Sequence, residues 1–168
     1  MEIRFLQKTD WIQYRQIRLE ALKKEPFLFA DSYEEQKEKS SAHFQSELTT
    51  PSNIVLGGFI EGELKGIISL KLYTLKKMEH KAMLGRFYVM EDARGKSLGK
   101  KLFQSGIDRA KELGVEQLQL VVASINETAI SVYKKQGFKR FAYEEKAMKY
   151  NGKYIDEEYF VLNLTEEK

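Results

Sequence analysis

The sequence contains no cysteine. That absence removes a disulfide framework, a thiolate zinc site and a cysteine nucleophile together. Proline is scarce, at two residues in 168. No low-complexity tract, linker or internal repeat interrupts the chain, and its length predicts one domain over residues 1–168. Long apolar runs are missing as well. No window approaches the roughly 20 apolar residues of a membrane-spanning helix, and the opening "MEIRFLQKTD" lacks the apolar stretch of a signal peptide. The expectation is a soluble cytoplasmic protein with no membrane partner. Excess charge of one sign is lacking too: 28 basic and 25 acidic residues leave a net charge of +3. The signs are interspersed, which disfavours a dedicated nucleic-acid binder.

What is present is enough to close a core, with 42% hydrophobic residues. Glu2 to Gln7 alternates polar and apolar, the pattern of a half-buried strand. Thr9 and Asp10 are helix-capping types, and after them Tyr14, Ile17, Arg18, Ala21 and Leu22 recur at helical spacing. Ser32 with Glu35 has capping-box spacing and predicts a second helix to about Leu48. Three strands follow, over Asn53–Ile60, Glu63–Thr74 and His80–Met90, the first two joined by a turn at Glu61-Gly62. From Gly99, the residues Leu102, Phe103, Gly106, Ile107, Ala110 and Leu113 form one helical stripe that ends at Gly114. A strand over Gln117–Ala123, a short helix closed by Gly137, and two strands over Phe138–Tyr143 and Tyr154–Leu164, with Asn151-Gly152 in the turn between them, complete the chain. This order predicts an α+β fold with a mixed, mostly antiparallel sheet of about seven strands and about four helices.

The stretch "RGKSLG" (Arg94–Gly99) contains the Gly-Lys-Ser of a phosphate-binding P-loop, but the glycine needed five residues before Gly95 is Met90. A triphosphate site is therefore rejected. The remaining possibility is physical: unpaired amides at a helix start, together with the helix dipole, attract anionic oxygen. Arg94, Lys96 and Lys100 add charge there, with no carboxylate cluster to hold magnesium. This is equipment for a diphosphate that is held and not cleaved. The hexapeptide alone fits a capped helix beside a basic patch equally well.

A second element begins 27 residues after Gly99, with Asn126, Ala129, Tyr133, Gly137 and Phe138 in the pattern Asn-x-x-Ala-x-x-x-Tyr-x-x-x-Gly-Phe. Together with "RGKSLG" it resembles the GCN5-related N-acetyltransferase (GNAT) family. The resemblance implies a single domain of that fold, with strands splayed where acetyl-CoA binds. It places the diphosphate on the backbone of Arg94, Gly95, Lys96, Ser97, Leu98, Gly99 and Lys100. The pantetheine arm would pair with Phe87, Tyr88 and Val89, with Asn126 beside it. Tyr133 would stand near the sulfur as general acid toward the departing thiolate. The implied co-substrate is acetyl-CoA and the acceptor is a primary amine of a small molecule or peptide; homodimers are common in the family.

One position departs from the family pattern: Ser97 stands where glycine is usual. Helix starts normally have φ below zero, which predicts that serine is accommodated there.

Relatives often carry a glutamate on the strand before the diphosphate loop, and here that strand is centred on Arg86. The general base is left open among Glu25, Asp31, Glu91 and Asp92, with a water chain as a further route. Arg86 is either a contact for an acidic group on the substrate or a paired structural charge. The missing acid also keeps open a non-catalytic acyl-CoA sensor of the same fold. His43 and His80 have no second ligand at metal spacing, so both read as surface residues and no metal is expected.

Overall fold

The first strand, β1 (Glu2–Phe5), pairs antiparallel with β2 (Asn53–Ile60), which leads into β3 (Glu63–Leu72) and β4 (Lys81–Val89). Glu61 and Gly62 join β2 to β3 with φ of 51° and 80°. Two successive positive φ values match the right-handed twist of the flanking strands, and the second is free of cost only for glycine. β5 (Gln117–Ala123) joins β4 in parallel, β7 (Lys153–Asn163) pairs antiparallel with β5, and β6 (Lys139–Tyr150) lies outside β7. In the computed structural model, which describes residues 1–165, the sheet order is β1-β2-β3-β4-β5-β7-β6. The last three residues of the expected 1–168 domain lie outside the described residues.

Both faces of the sheet are covered. Successive residues of β2 and β3 point to opposite faces. Val55, Phe59 and Ile67 pack against α1 (Trp11–Lys24) and α3 (Ser41–Thr49) through Tyr14, Ile17 and Phe44. Leu56, Ile68 and Leu70 pack against α4 (Leu98–Glu112) through Leu102, Ile107 and Ala110. This is why "NIVLGGFI" is an unbroken apolar run and not an alternation. Leu102, Leu118 and Phe160 lose essentially all solvent contact, and each such burial contributes about 1.5–3 kcal/mol.

The feature that shapes the site is a split in the sheet. β4 and β5 pair only from Lys81 to Met83 and from Gln117 to Gln119, although they run on to Val89 and Ala123. Just past the split the β3–β4 register shifts, so that Ile68 alone faces both Arg86 and Phe87. Arg86 has φ of 49°. A bulge here bends and twists β4, which carries its far half away from β5.

Three expectations need correction. The second helix is two: α2 (Tyr33–Gln36), capped by Ser32, and α3, capped by Ser40. Only Gln36 is buried in α2, so no apolar stripe sustains a longer helix, and Ser40 accepts the His43 amide to start a new one. With α5 (Glu127–Lys135) there are five α-helices among the described residues. The sixth strand extends past Tyr143 to Tyr150, bulging at Lys146 (φ 54°), because β7 continues to offer it a partner. Asp10 precedes α1 but does not cap it: its carboxylate is taken by Arg4 and by the Gln7 amide.

Candidate active site

The diverging strands leave a cleft of about 700 Å³, within the range of small-molecule sites. One wall is β4, from Leu84 to Val89, and the other is β5 with Ile125 and Asn126. Where the strands have parted, the backbone groups of β4 on that side have lost the neighbour that would pair with them. An extended, amide-bearing ligand can take that neighbour's place. Phe87, Tyr88 and Val89 all lie on this wall, and Arg94, Asn126 and Tyr133 reach the same cleft.

Tyr133 sits near the end of α5, 9% exposed. It stacks on Phe103 with centroids 5.4 Å apart and planes 23° apart. Phe138 folds back against it, its amide donating to the Tyr133 carbonyl at 3.0 Å. Gly137, at φ 95°, makes that return possible. Burial is the sole cause acting on the phenol and pushes its pKa up to about 12. The hydroxyl is thus protonated and desolvated; Tyr133 lines the cleft, and among the described residues its hydroxyl has no hydrogen-bond partner. Asn126 caps α5, its Oδ1 accepting the Ala129 amide at 3.3 Å. The side-chain nitrogen is left for the cleft.

At the far end of β4 the chain passes through a short 3-10 turn (Glu91–Ala93) into the loop before α4. Among the described residues, the amides of Gly95, Lys96 and Ser97 donate to no backbone carbonyl, and the first amides of α4 have no partner within the helix. Arg94 Nε donates to the Val89 carbonyl at 3.0 Å, and Gly99 lies against Val89 and Phe87. These contacts join the amide loop to the cleft wall. Leu98 has its side chain fully buried, so only its amide can face a ligand.

The expectation for Ser97 is overturned, because its φ is 66°, in the left-handed region, not below zero. The loop departs from ordinary geometry twice, at Gly95 (φ 76°) and at Ser97. Left-handed residues in such a loop allow successive N–H groups to face one anion, and serine carries the strain that glycine would avoid. Left-handed geometry costs a non-glycine residue about 1–2 kcal/mol. Glycine would lose part of that gain, about 0.4–1 kcal/mol, through a freer unfolded chain. Ser97→Gly is therefore expected to stabilise the protein by about 0.5–1 kcal/mol, seen as a higher midpoint in thermal melts. A lower midpoint would contradict the strain argument.

The candidate bases separate cleanly. Glu25 lines the cleft. Asp31 is bound to Arg18 at 2.7 Å, Glu91 faces Lys24 and Asp92 faces Lys65.

Arg86 also lines the cleft, and its partners were not visible in the sequence: Nη1 donates to Glu47 Oε2 at 2.6 Å and to the Tyr14 hydroxyl at 2.8 Å. Burial alone would raise the Glu47 carboxyl, but hydrogen bonds from Tyr14 and Arg86 and the arginine charge outweigh it and hold it low. His43 belongs to this cluster and is not a free surface residue. It is half-buried, with Nε2 3.1 Å from Glu47 Oε1 but too poorly aligned to hydrogen-bond. The one hint in the sequence was Arg18, a charge inside the apolar stripe of α1. Among the described residues no group of three or more His, Asp or Glu side chains is placed to hold a metal ion, and no helix is long and apolar enough to cross a membrane.

The split seven-stranded sheet is that of acetyltransferases. The structure superimposes on the acetyltransferase of GNAT family from Streptococcus pneumoniae with a TM-score of 0.85 and 21% identity, covering 97% of this chain and 99% of that one. It superimposes on yncA of Salmonella typhimurium, solved with its cofactor acetyl-CoA, with a TM-score of 0.83 and 22% identity over 100% and 96% of the two chains. Residues 13–138 match the model of the Acetyltransferase (GNAT) family, and the chain belongs to that family. In sequence it is 40% identical over 78 residues to the uncharacterized N-acetyltransferase YdgE of Bacillus subtilis, 46% of this chain and 49% of that protein. The chain spans about half or less of the length of the curated relatives it matches.

Proposed function

We propose that this chain transfers an acetyl group from acetyl-CoA to a primary amine by direct attack, within one domain spanning residues 1–168. The observation that carries this reading is the cleft itself, with unpaired loop amides at one end and the unpartnered Tyr133 hydroxyl inside it.

Amides from Gly95 to Lys100, with Arg94, Lys96 and Lys100 around them, suit a diphosphate. The edge of β4 at Phe87, Tyr88 and Val89, which has no strand paired to it on the β5 side past Met83, suits the amide groups of a pantetheine arm, with Asn126 opposite. The neutral amine attacks the thioester carbonyl carbon; a C–N bond forms and the C–S bond breaks. The thiolate takes the Tyr133 proton. The nitrogen gives up its proton to water or to Glu25, the one candidate acid on the cleft. A phenol at about 12 is a weak donor toward a thiol in water. The same burial raises the thiol, however, so the mismatch inside the cleft is smaller than the free values suggest.

The test is thiol release from acetyl-CoA with a panel of amines, alongside calorimetric titration of acetyl-CoA. Turnover supports transfer. Tight binding with no turnover on any amine would replace it with a sensor of acyl-CoA, and no binding at millimolar concentration would remove both.

A further inference from the structure

Arg86 occupies an unusual position for a structural ion pair. It stands at a bulge in the wall of the cleft, with the only positive φ in β4. A bulge re-aims a side chain, and left-handed backbone in a non-glycine residue is strain that the surroundings must hold in place. The guanidinium is fixed along one edge only. Both of its hydrogen bonds come from Nη1, to Glu47 and Tyr14. Asp31 lies 3.8 Å from Nη2, beyond hydrogen-bond reach. The Nη2–Nε edge makes no hydrogen bond among the described residues, and the side chain is 31% exposed. A planar guanidinium hydrogen-bonded through Nη1 alone, with Asp31 at Nη2 only as a 3.8 Å ion pair, keeps on Nη2 and Nε the parallel donors that match a carboxylate.

The surrounding charges agree. The two carboxylates of the cluster, Glu47 and Asp31, are engaged by Arg86 and Arg18. Arg18 is 3% exposed, and among the described residues its Nη1 has no partner. The cluster therefore holds more guanidinium donors than its own acids occupy. Across the same cleft stands Glu25, with Leu28 and Phe29 beside it. The cleft thus offers a cation on β4 and an acid on the loop after α1, with an apolar surface next to the acid.

We infer that the open edge of Arg86 anchors a carboxylate of the acceptor, which makes the acceptor a primary amine of amino-acid type and not a simple or poly-cationic amine. This rests on the transfer reading above. Glu47 and Tyr14 are positioning residues that hold the fork at the cleft wall. Arg86 accounts for the absence of an acid at the centre of β4, because an acid there would repel such a substrate.

The first test leaves the protein unaltered. Amino acids are compared with their amides and decarboxylated amines as acceptors in the thiol-release assay. The acid form is expected to have the higher kcat/KM by about 10- to 100-fold, the worth of a charge-assisted bidentate contact. Arg86→Lys retains a charge for Glu47 and Tyr14 but has no fork. It is expected to raise KM for the acid by a similar factor, leave KM for its amide and for acetyl-CoA unchanged, and so erase the preference. A preference that survives Arg86→Lys, or equal or better turnover of amines without a carboxylate, overturns the assignment. If acetyl-CoA binds but no amine is turned over, the transfer reading falls separately. Thermal shift then decides the anchor: amino acids must raise the melting temperature more than their amides do, and equal shifts overturn it.

Discussion

Replacing Tyr133 by phenylalanine is expected to lower kcat at least 100-fold while leaving acetyl-CoA affinity and thermal stability nearly unchanged. Positioned proton donors contribute roughly 10²- to 10⁴-fold. The ring does the packing, stacked on Phe103 and covered by Phe138, and phenylalanine keeps it. Among the described residues the hydroxyl has no partner to orphan, and burial is what acts on it, so its removal exposes no unsatisfied group there. The same fact fixes the pH behaviour. A phenol pushed up to about 12 stays more than nine-tenths protonated below roughly pH 11. Activity should therefore rise as the acceptor amine loses its proton and then hold, without a falling limb from Tyr133 below about pH 10. A loss under tenfold in the variant, or a falling limb near pH 9 that vanishes in it, would remove the proton-donor role or the buried setting respectively. The affinity readout matters because a packing role alone would change stability and cofactor binding along with rate.

Gly95→Val is expected to weaken acetyl-CoA binding by about 10- to 100-fold with the fold intact. At φ 76° a β-branched residue is strongly disfavoured, and the left-handed region costs even ordinary residues about 1–2 kcal/mol. No atom outside the immediate chain lies within 4 Å of where the new Cβ would stand. A steric clash therefore cannot explain the effect, and the substitution reads backbone conformation alone. Relief of that strain is expected to reorient the loop amides, so that the donors from Gly95 onward no longer serve one diphosphate. Calorimetric titration with acetyl-CoA, with a melting curve to show that the core is unaffected, measures this. Gly95→Ala should lie between the two. Undiminished affinity in the valine variant would mean that the diphosphate is not held by these amides.

Much of this site was legible before any coordinates. The Asn126-to-Phe138 pattern is local: its residues share one short helix and its cap, so spacing alone puts Tyr133 on the buried face and brings Phe138 back onto it. The Arg94–Gly99 stretch is equally local, a loop feeding a helix. The apolar stripes of α1 and α4 follow from periodicity, and the Glu61-Gly62 turn from the backbone freedom of its second residue. Element order along the chain was enough to predict a mixed sheet.

Other features depended on what meets what across the fold. The left-handed φ of Ser97 was misjudged because a helix start does not by itself require it; the path of the folded loop into α4 decides it. The division between α2 and α3 was missed because capping competes with continuation, and burial decides between them. Arg86 shows the difference most directly. The sequence left it as either a substrate contact or a structural pair. Tyr14 and Glu47, 72 and 39 residues away, take its Nη1, and a bulge set by pairing with β3 places it in the wall of the cleft. Local sequence determined most of the helices and strands and the side chains they carry, because those terms depend on near neighbours. The cleft and the Arg86–Glu47–Tyr14 cluster in its wall belong to the tertiary structure, since they arise only where distant elements meet and where β4 and β5 pair for a short length and then separate.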